Sequence, residues 1–316
     1  MSDPGSGPAQ VVLTASVARR YYLEGRSKIE IAEEFGMSRF KVARLLDSAR
    51  QSGLVRIEIR HEGEIDVDLS VRLRDRFGLL HSIVVSGPEG DAQALREHVA
   101  RAAANLLSEI ITPSDVLGLA WARSVSAMAR VMPRLPGTPV VQLTGALTLP
   151  DGPDTSVDAV RDVAAASGGP AHCFYAPLTV ADAATARALR QQPEIARAFG
   201  QLPLVTKAVA GVGLWAAGQS TLHDAATEHD QAALRDLGVC ADISGVLVSG
   251  DGRPVPTELA ERMIALNAEE MRGIPEVIVI PYGIAKAAAV RAALCSGLVN
   301  GIVTHTSLAR AVLDER

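Results

Sequence analysis

The segment from Ser27 to Ser52, SKIEIAEEFGMSRFKVARLLDSARQS, constrains the fold more than any other. Ile31, Ala32 and Phe35 give a short helix one inward face, and Ala32 is small enough for a second helix to approach closely. Gly36 falls where the chain must turn sharply, a place for positive φ that glycine adopts at little cost. Ser38 is placed to cap the next helix, and Val42, Leu45, Leu46 and Ala49 recur at helical spacing along its buried side. Two short helices crossing at a tight turn form a helix-turn-helix, whose second helix enters a DNA groove.

With those apolar residues inward, Arg39, Phe40, Lys41 and Arg44 face outward. Arginine reads guanine or holds phosphate, lysine adds a point charge, and phenylalanine lies against a thymine methyl. Ser38, Arg39, Phe40, Lys41 and Arg44 are therefore the expected DNA-binding residues. Between Ser38 and Arg60 there are six Lys or Arg against Asp47 and Glu58. The bland alternative is a solvated basic face on a structural hairpin that makes protein contacts.

Charge is distributed to suit the first reading. Net charge is −5, but residues 1–60 carry 10 basic and 7 acidic side chains while residues 61–316 carry 21 and 29. A basic head on an acidic body lets one end approach phosphate. Hydrophobic residues make up 48% of the 316-residue chain, ample for a core, and the length fits one small module plus one large domain. Cys173, Cys240 and Cys295 lie far apart in apolar stretches, which predicts free thiols in a reducing cytosol. The opening MSDPGSGPAQ lacks the basic and apolar runs of a signal peptide, and no segment is long enough to span a membrane.

The expected organisation is a flexible tail over 1–12, a DNA-binding domain over 13–60, a connector helix over 61–78 and an α/β domain over 79–316. A first helix is expected from about Thr14 to Leu23, then a capping box of Ser27 with Glu30. Alternation in LVRIEIR, Leu54 to Arg60, reads as a strand forming a wing. Leu69, Leu73 and Phe77 share one side of the connector, a candidate dimer contact. Beyond His81, short apolar runs alternate with Ala-rich helical stretches. SIVVS, DVLGLA, PVVQLT, AHCFYA, KAVAGVG, EVIVIPYG and GIVTH are the strands, with helices near 92–110, from Ser124, near 155–167 and near 284–297. A hairpin, ISGVLVSGDGRPV, is expected to turn at Asp251-Gly252. This texture predicts a largely parallel sheet with helices on both faces.

Ligands of such sheets bind beyond the carboxyl ends of strands. Two junctions stand out there. Trp121-Ala122-Arg123-Ser124 follows DVLGLA and opens a helix; Pro281-Tyr282-Gly283 follows EVIVI, with Lys286 in the next turn. A cation at a helix N-terminus opposes the macrodipole unless an anion sits between them, and a phosphate would meet free backbone N–H groups there. A third junction, Gln142-Leu143-Thr144-Gly145, supplies polar groups suited to sugar hydroxyls, or is an ordinary turn. Asp251 is read as turn chemistry. His223, His229 and Cys240 match no zinc spacing, and no P-loop, GxSxG or HExxH is present, so neither metal nor cofactor is expected.

Taken together, IAEEFGMSRFKVARLL, VQLTG, YAPL (175–178), DISG (242–245) and KAAAVRAALCSGLVNGIVT make the chain resemble the SorC-type bacterial transcriptional regulators, also grouped with DeoR-like sugar regulators. The resemblance runs from about residue 14 to 314. It implies a helix-turn-helix, winged in form, joined to a Rossmann-like α/β effector domain related to sugar-phosphate isomerases and deaminases. It further implies operator DNA and a sugar or phosphorylated sugar as partners, with assembly as a homodimer or homotetramer. The relatives' Gly-Trp-Gly-Arg-Thr loop appears as Ala120-Trp121-Ala122-Arg123-Ser124, and their Ala-Gly-Gly ahead of a Lys as Ile280-Pro281-Tyr282-Gly283 ahead of Lys286. The acidic pair after Val-Thr is replaced by His305-Thr306. Trp121, Arg123, Ser124, Gln142, Thr144, Gly145, Asp242, Gly283 and Lys286 are the expected effector-binding residues. The contrasting expectation is an isomerase- or deaminase-like enzyme using Lys286 or His305 in acid–base roles.

Overall fold

A computed structural model describes residues 7–56, 64–87, 90–147 and 156–314. The chain divides into two compact units, Met1–Ile59 and Arg60–Arg316.

The first unit is three helices, α1 (Pro8–Tyr22), α2 (Lys28–Glu34) and α3 (Arg39–Gln51). Helix α1 starts well before the expected Thr14, so residues 8–12 are helical rather than tail. Pro8 stands in its first turn, where a fixed φ and a missing N–H cost nothing. The Ser27–Glu30 capping box is reciprocal: Ser27 Oγ accepts the Glu30 N–H at 3.3 Å and Glu30 Oε2 accepts the Ser27 N–H at 2.8 Å. Gly36 turns the chain at φ 60°. Val17, Ala18, Ile31, Ala32, Val42, Leu45, Leu46 and Ala49 form one buried cluster, matching the expected inner faces. Most of the expected wing, residues 57–60, lies outside the described residues; Leu54, Val55 and Arg56 carry no strand pairing.

The second unit opens with α4 (Val67–Phe77), then β1 (His81–Val85), α5 (Ala92–Ile110), β2 (Leu117–Leu119), α6 (Arg123–Arg130), β3 (Val140–Gln142), α7 (Ser156–Ser167) and β4 (Ala171–His172). Next come α8 (Ala183–Arg190), α9 (Pro193–Phe199), β5 (Lys207–Ala210), β6 (Gly213–Leu214), α10 (Thr221–Ala225) and α11 (Glu228–Asp236). The last stretch is β7 (Val239–Ile243), β8 (Val246–Ser249), α12 (Glu258–Glu261), α13 (Ala268–Arg272), β9 (Glu276–Val279), α14 (Ala287–Cys295), β10 (Gly301–His305) and α15 (Thr306–Asp314), with a 3-10 turn over Ile284–Lys286 leading into α14.

Seven strands form a parallel sheet in the order β1-β10-β9-β5-β2-β3-β4. The strands alternate faces residue by residue. Val84, Ala208, Ala210, Val277, Val279 and Ile302 pack with α4, α14 and α15, while Val85, Val209, Ile278 and Val303 pack with α5, α6 and α7. That is period-2 patterning with both faces apolar, the signature of a sheet covered on both sides. The expected α/β layering is thus what forms.

Two expectations are corrected. Helix α4 is not a free connector: Leu69 and Leu73 are buried against β1 and α15, and Ser70 Oγ accepts the Val84 N–H at 2.9 Å. Its apolar side is used inside the domain. The main hairpin turns earlier than Asp251-Gly252, joining β7 to β8 through Ser244 and Gly245. The DISG residues supply the turn, and Asp251-Gly252 makes a second return that pairs Val248 with Pro254.

At the amino ends of the strands, buried Lys207 bridges Asp115 at 3.1 Å and Glu276 at 2.9 Å. Burial pushes the Asp115 carboxyl up, but hydrogen bonds from Thr206, Thr112 and Lys207 win and hold it at about 2. This closes the sheet's lower edge, leaving the opposite edge open.

Candidate functional site

The first candidate surface is the outer face of α3. Ser38 Oγ accepts the Lys41 N–H at 3.2 Å, so its role is to start the helix. Arg39, Phe40, Lys41 and Arg44 are exposed as expected; Phe40 is 74% exposed, a large apolar side chain with nothing over it in its own unit. The Arg39 guanidinium lies 5.6 Å from the Phe40 ring centre. Three other cations of the unit are paired: Arg20 and Arg26 with Glu34, and Arg50 with Asp47. Arg39, Lys41 and Arg44 have no carboxylate partner among the described residues. The outer face of α3 thus presents three unpaired cations side by side, a charge distribution suited to a polyanion.

The second candidate is a cavity of about 620 Å³ at the carboxyl edge of the parallel sheet. From β2 the chain runs outward to β3 and β4; β5, its neighbour in the sheet, is followed by β9 and β10 on the other side. The crevice between β2 and β5 is the point where connections diverge, the place where open α/β sheets bind ligands. Three loops meet there: Ala120–Arg123 after β2, Gly211–Gly213 after β5 and Ile280–Gly283 after β9.

Helix starts around the cavity differ in how their first-turn N–H groups are satisfied. Helices α2, α3, α4, α5, α8, α10, α11, α12 and α13 each have a side chain accepting a first-turn N–H. Helix α6, capped by Ala122, and the turn at Ile284–Lys286, capped by Gly283, have none; nor do α1, α9 and the 3-10 turn at Leu202–Leu204, which all carry Pro in their first turn instead. Helix α6 and the Ile284–Lys286 turn both open onto the cavity, and each brings a cation, Arg123 or Lys286. Free N–H groups beside a cation have the chemistry to accept an anion.

Lys286 Nζ donates to the Val212 carbonyl at 3.0 Å and lies 5.2 Å from the Tyr282 ring centre. Burial pushes its ammonium down to about 8; Arg123 adds to this and Asp242 opposes it. Asp242 accepts the Gly245 N–H at 2.6 Å and the Ser220 hydroxyl at 3.2 Å. Burial pushes its carboxyl up, against those two bonds and Lys286. Ser244, the one non-glycine among the described residues with positive φ (48°), accepts the Gly211 N–H at 2.9 Å. Such strain is retained where the surroundings fix it, here locking the β5 loop to the β7–β8 turn. Trp121 also lines the cavity, and its buried indole Nε1 has no hydrogen-bond partner among the described residues.

Of the residues expected to bind effector, Trp121, Arg123, Ser124, Asp242, Gly283 and Lys286 line this cavity. Gln142, Thr144 and Gly145 do not, and each has a structural task instead. Gln142 Nε2 donates to the Thr144 carbonyl at 2.9 Å and the Ser156 hydroxyl at 3.0 Å, and its Oε1 accepts the Phe174 N–H at 3.0 Å. Thr144 Oγ1 accepts the Trp121 N–H at 2.7 Å, so it shapes the cavity from behind. A Cβ on Gly145 would fall 2.5 Å from the Pro177 carbonyl oxygen. His305 does not line the cavity; its Nε2 accepts the Gly283 N–H at 3.1 Å, which occupies the nitrogen an acid–base role would use.

Sequence reasoning missed Ser220, Ser244, Gly211, Gly213 and Arg96, and left Tyr282 without a role although it sits in the junction. The glycines in KAVAGVG were the one available signal: a Cβ on Gly213 would fall 2.6 Å from Ser220 Cβ, so the loop requires their absence of side chain.

A protein-family model described as "Putative sugar-binding domain" matches residues 61–314. An uncharacterized transcriptional regulator of Escherichia coli K12, YjhU, is 29% identical over 303 residues, covering 93% of this chain and 92% of that protein. The transcriptional regulator LsrR of Klebsiella pneumoniae is 28% identical, covering 98% and 95%. Among solved structures, the full-length sorbitol operon regulator SorC from Klebsiella pneumoniae superposes with a TM-score of 0.74 at 21% identity, over 97% of this chain and all of that one. The fold is therefore similar to that of full-length SorC along nearly the whole chain.

Proposed function

Because the chain belongs to the sugar-binding-domain family matched over residues 61–314, we propose that it is a DNA-binding transcriptional regulator controlled by a small phosphorylated-sugar-type effector. The observation that carries the reading is the pair of uncapped helical turns, each with its own cation, at the sheet's switch point. They supply N–H donors and positive charge to one phosphate, while Asp242 and Ser220 supply partners for sugar oxygens.

The remaining roles follow from the same groups. Arg39, Phe40, Lys41 and Arg44 contact the operator, with Ser38 setting the start of the helix that carries them. A single helix-turn-helix reads one half-site, so the working form is a homodimer or homotetramer on paired half-sites. It acts in the cytoplasm, where operator DNA is; among the described residues no helix is long and apolar enough to cross a membrane. Effector binding changes operator affinity by preferring one arrangement of the regulator over another, since equal preference would shift nothing. No chemical step is assigned, in keeping with relatives that are regulators.

A thermal-shift screen of phosphorylated sugars against wild type and Lys286→Met tests the site. A compound that raises the wild-type melting point and leaves the variant unmoved supports it; equal shifts in both remove the phosphate role.

A further inference from the structure

Lys286, the cation of the second uncapped turn, is tied to the neighbouring strand. Strand β10 lies beside β9 in the sheet, and its last two residues, Thr304 and His305, are buried. They hold the loop after β9 at both ends. Thr304 Oγ1 donates to the Pro281 carbonyl at 3.1 Å, and His305 Nε2 accepts the Gly283 N–H at 3.1 Å. Because a backbone N–H donates to it, Nε2 carries no proton, and the ring is the neutral tautomer protonated at Nδ1. Gly283 meets this demand with φ 90° and ψ 122°, a conformation that residues with a side chain rarely adopt. A Cβ there would touch nothing within 4 Å, so glycine is required for the backbone angle and not for space.

From Gly283 the constraint passes to the cation. The Gly283 carbonyl accepts the Lys286 N–H at 3.1 Å, closing the turn, and Lys286 Nζ donates to the Val212 carbonyl of the β5 loop at 3.0 Å. Hydrogen bonds in series thus run from the His305 ring through Gly283 to Lys286. Glycine supplies no restraint of its own: a residue free to reach φ 90° is as free to leave it. The acceptor on β10 is what keeps the Gly283 backbone, and the lysine that hangs from it, in one orientation.

We propose that His305 is a positioning residue for effector binding: through Gly283 it holds the Lys286 ammonium where it meets the ligand's phosphate, without touching the ligand itself. This rests on the reading of the cavity as a phosphosugar site and names a residue outside the cavity lining on which that site depends.

Two amide variants of the full chain separate position from packing. In His305→Gln the side-chain oxygen reaches about as far as Nε2 and can accept the same N–H; in His305→Asn it reaches only as far as Nδ1. Titration calorimetry with inorganic phosphate should find His305→Asn at least about tenfold weaker than wild type and His305→Gln within about threefold. Carbon NMR of the lysine side chains reads Lys286 directly. It should titrate near 8 in wild type and His305→Gln, and closer to its ordinary 10.5 in His305→Asn, where the ammonium leaves its buried position. Phosphate affinity unchanged in His305→Asn, affinity as poor in His305→Gln, or Lys286 still titrating near 8 in His305→Asn each overturns the positioning role and leaves the phosphate site standing. Nitrogen NMR of histidine-labelled wild type should find no proton on His305 Nε2; a protonated Nε2 overturns the proposal whatever the variants do. No phosphate binding by wild type overturns the phosphosugar reading and this role with it.

Discussion

Gly211 stands so close to Ala122 that a side-chain carbon built on it would overlap the Ala122 methyl. This contact joins the β5 loop to the β2 loop beside the cavity, and it shows how the chain accommodates the Ala122 methyl. Space for the methyl is provided from across the crevice. Gly211→Ala should push the two loops apart, lowering stability by about 1–3 kcal/mol and weakening effector binding. Ala122→Gly in the same chain should restore both, since it removes the colliding atom. Melting temperature and effector titration of the single and double variants check this; a double variant as poor as the single one would refute the contact.

Effector affinity should fall as pH rises through about 8. Lys286 is held at about 8 in the free protein, below its usual 10.5, so it is charged at pH 7 and largely neutral at pH 9.5. A bound phosphate favours the charged form, so binding takes up protons above about pH 8. Calorimetry in buffers of different ionisation enthalpy reads that uptake, which should vanish in Lys286→Met. The sign for folding is opposite: the unfolded chain holds the Lys286 proton more tightly, so this group makes the effector-free protein more stable as pH rises from about 8 to 10.5.

On the recognition helix, Arg44→Ala and Arg39→Ala should each cost about 1–3 kcal/mol of operator binding if their guanidinium groups read base edges. Lys41→Ala should act differently, weakening all sequences alike and reducing the slope of log affinity against log salt by about 1. Fluorescence anisotropy at several salt concentrations, with specific and scrambled duplexes, separates the two behaviours. Equal losses on scrambled DNA for Arg44→Ala would reassign it to the backbone.

Gln142→Ala should behave as a stability mutation. It leaves the Ser156 hydroxyl, the Thr144 carbonyl and the Phe174 N–H without their buried partner, each worth about 1–3 kcal/mol when unsatisfied. Melting temperature should drop by several degrees while effector affinity, measured well below it, changes less than about threefold. A large loss of affinity at unchanged stability would return Gln142 to the ligand.

The helix-turn-helix was legible because everything that specifies it is local. Ser27, Glu30, Gly36 and Ser38 act within four residues of their own positions, and the apolar spacing of α2 and α3 names their buried faces. The strands were legible because both faces of the sheet are covered, leaving short apolar runs between Gly and Pro. Helices α10, α12 and α13 were not, being only four or five residues long and defined by side-chain caps rather than by periodicity. The cavity was half legible. Arg123 and Lys286 announce themselves as cations at helix starts, but Arg96, Ser220 and Ser244 reach the cavity only through the strand order, which no local pattern encodes. Gln142 and Thr144 lie outside the cavity lining, and the sequence did not show this because a polar residue after a strand looks the same whether it faces a ligand or braces a loop.

The most direct measurement is operator affinity with and without the effector. The probe is a labelled duplex from the region adjoining the chain's own gene, and the effector is the phosphorylated sugar with the largest thermal shift. Wild type should bind this duplex specifically, with affinity changing at least about tenfold on adding that compound, or about 1.4 kcal/mol. Arg123→Gln and Lys286→Met should bind the duplex equally well without it and fail to respond to it. Specific binding that no phosphorylated sugar alters, or a response that survives in both variants, would contradict the coupling between this cavity and DNA.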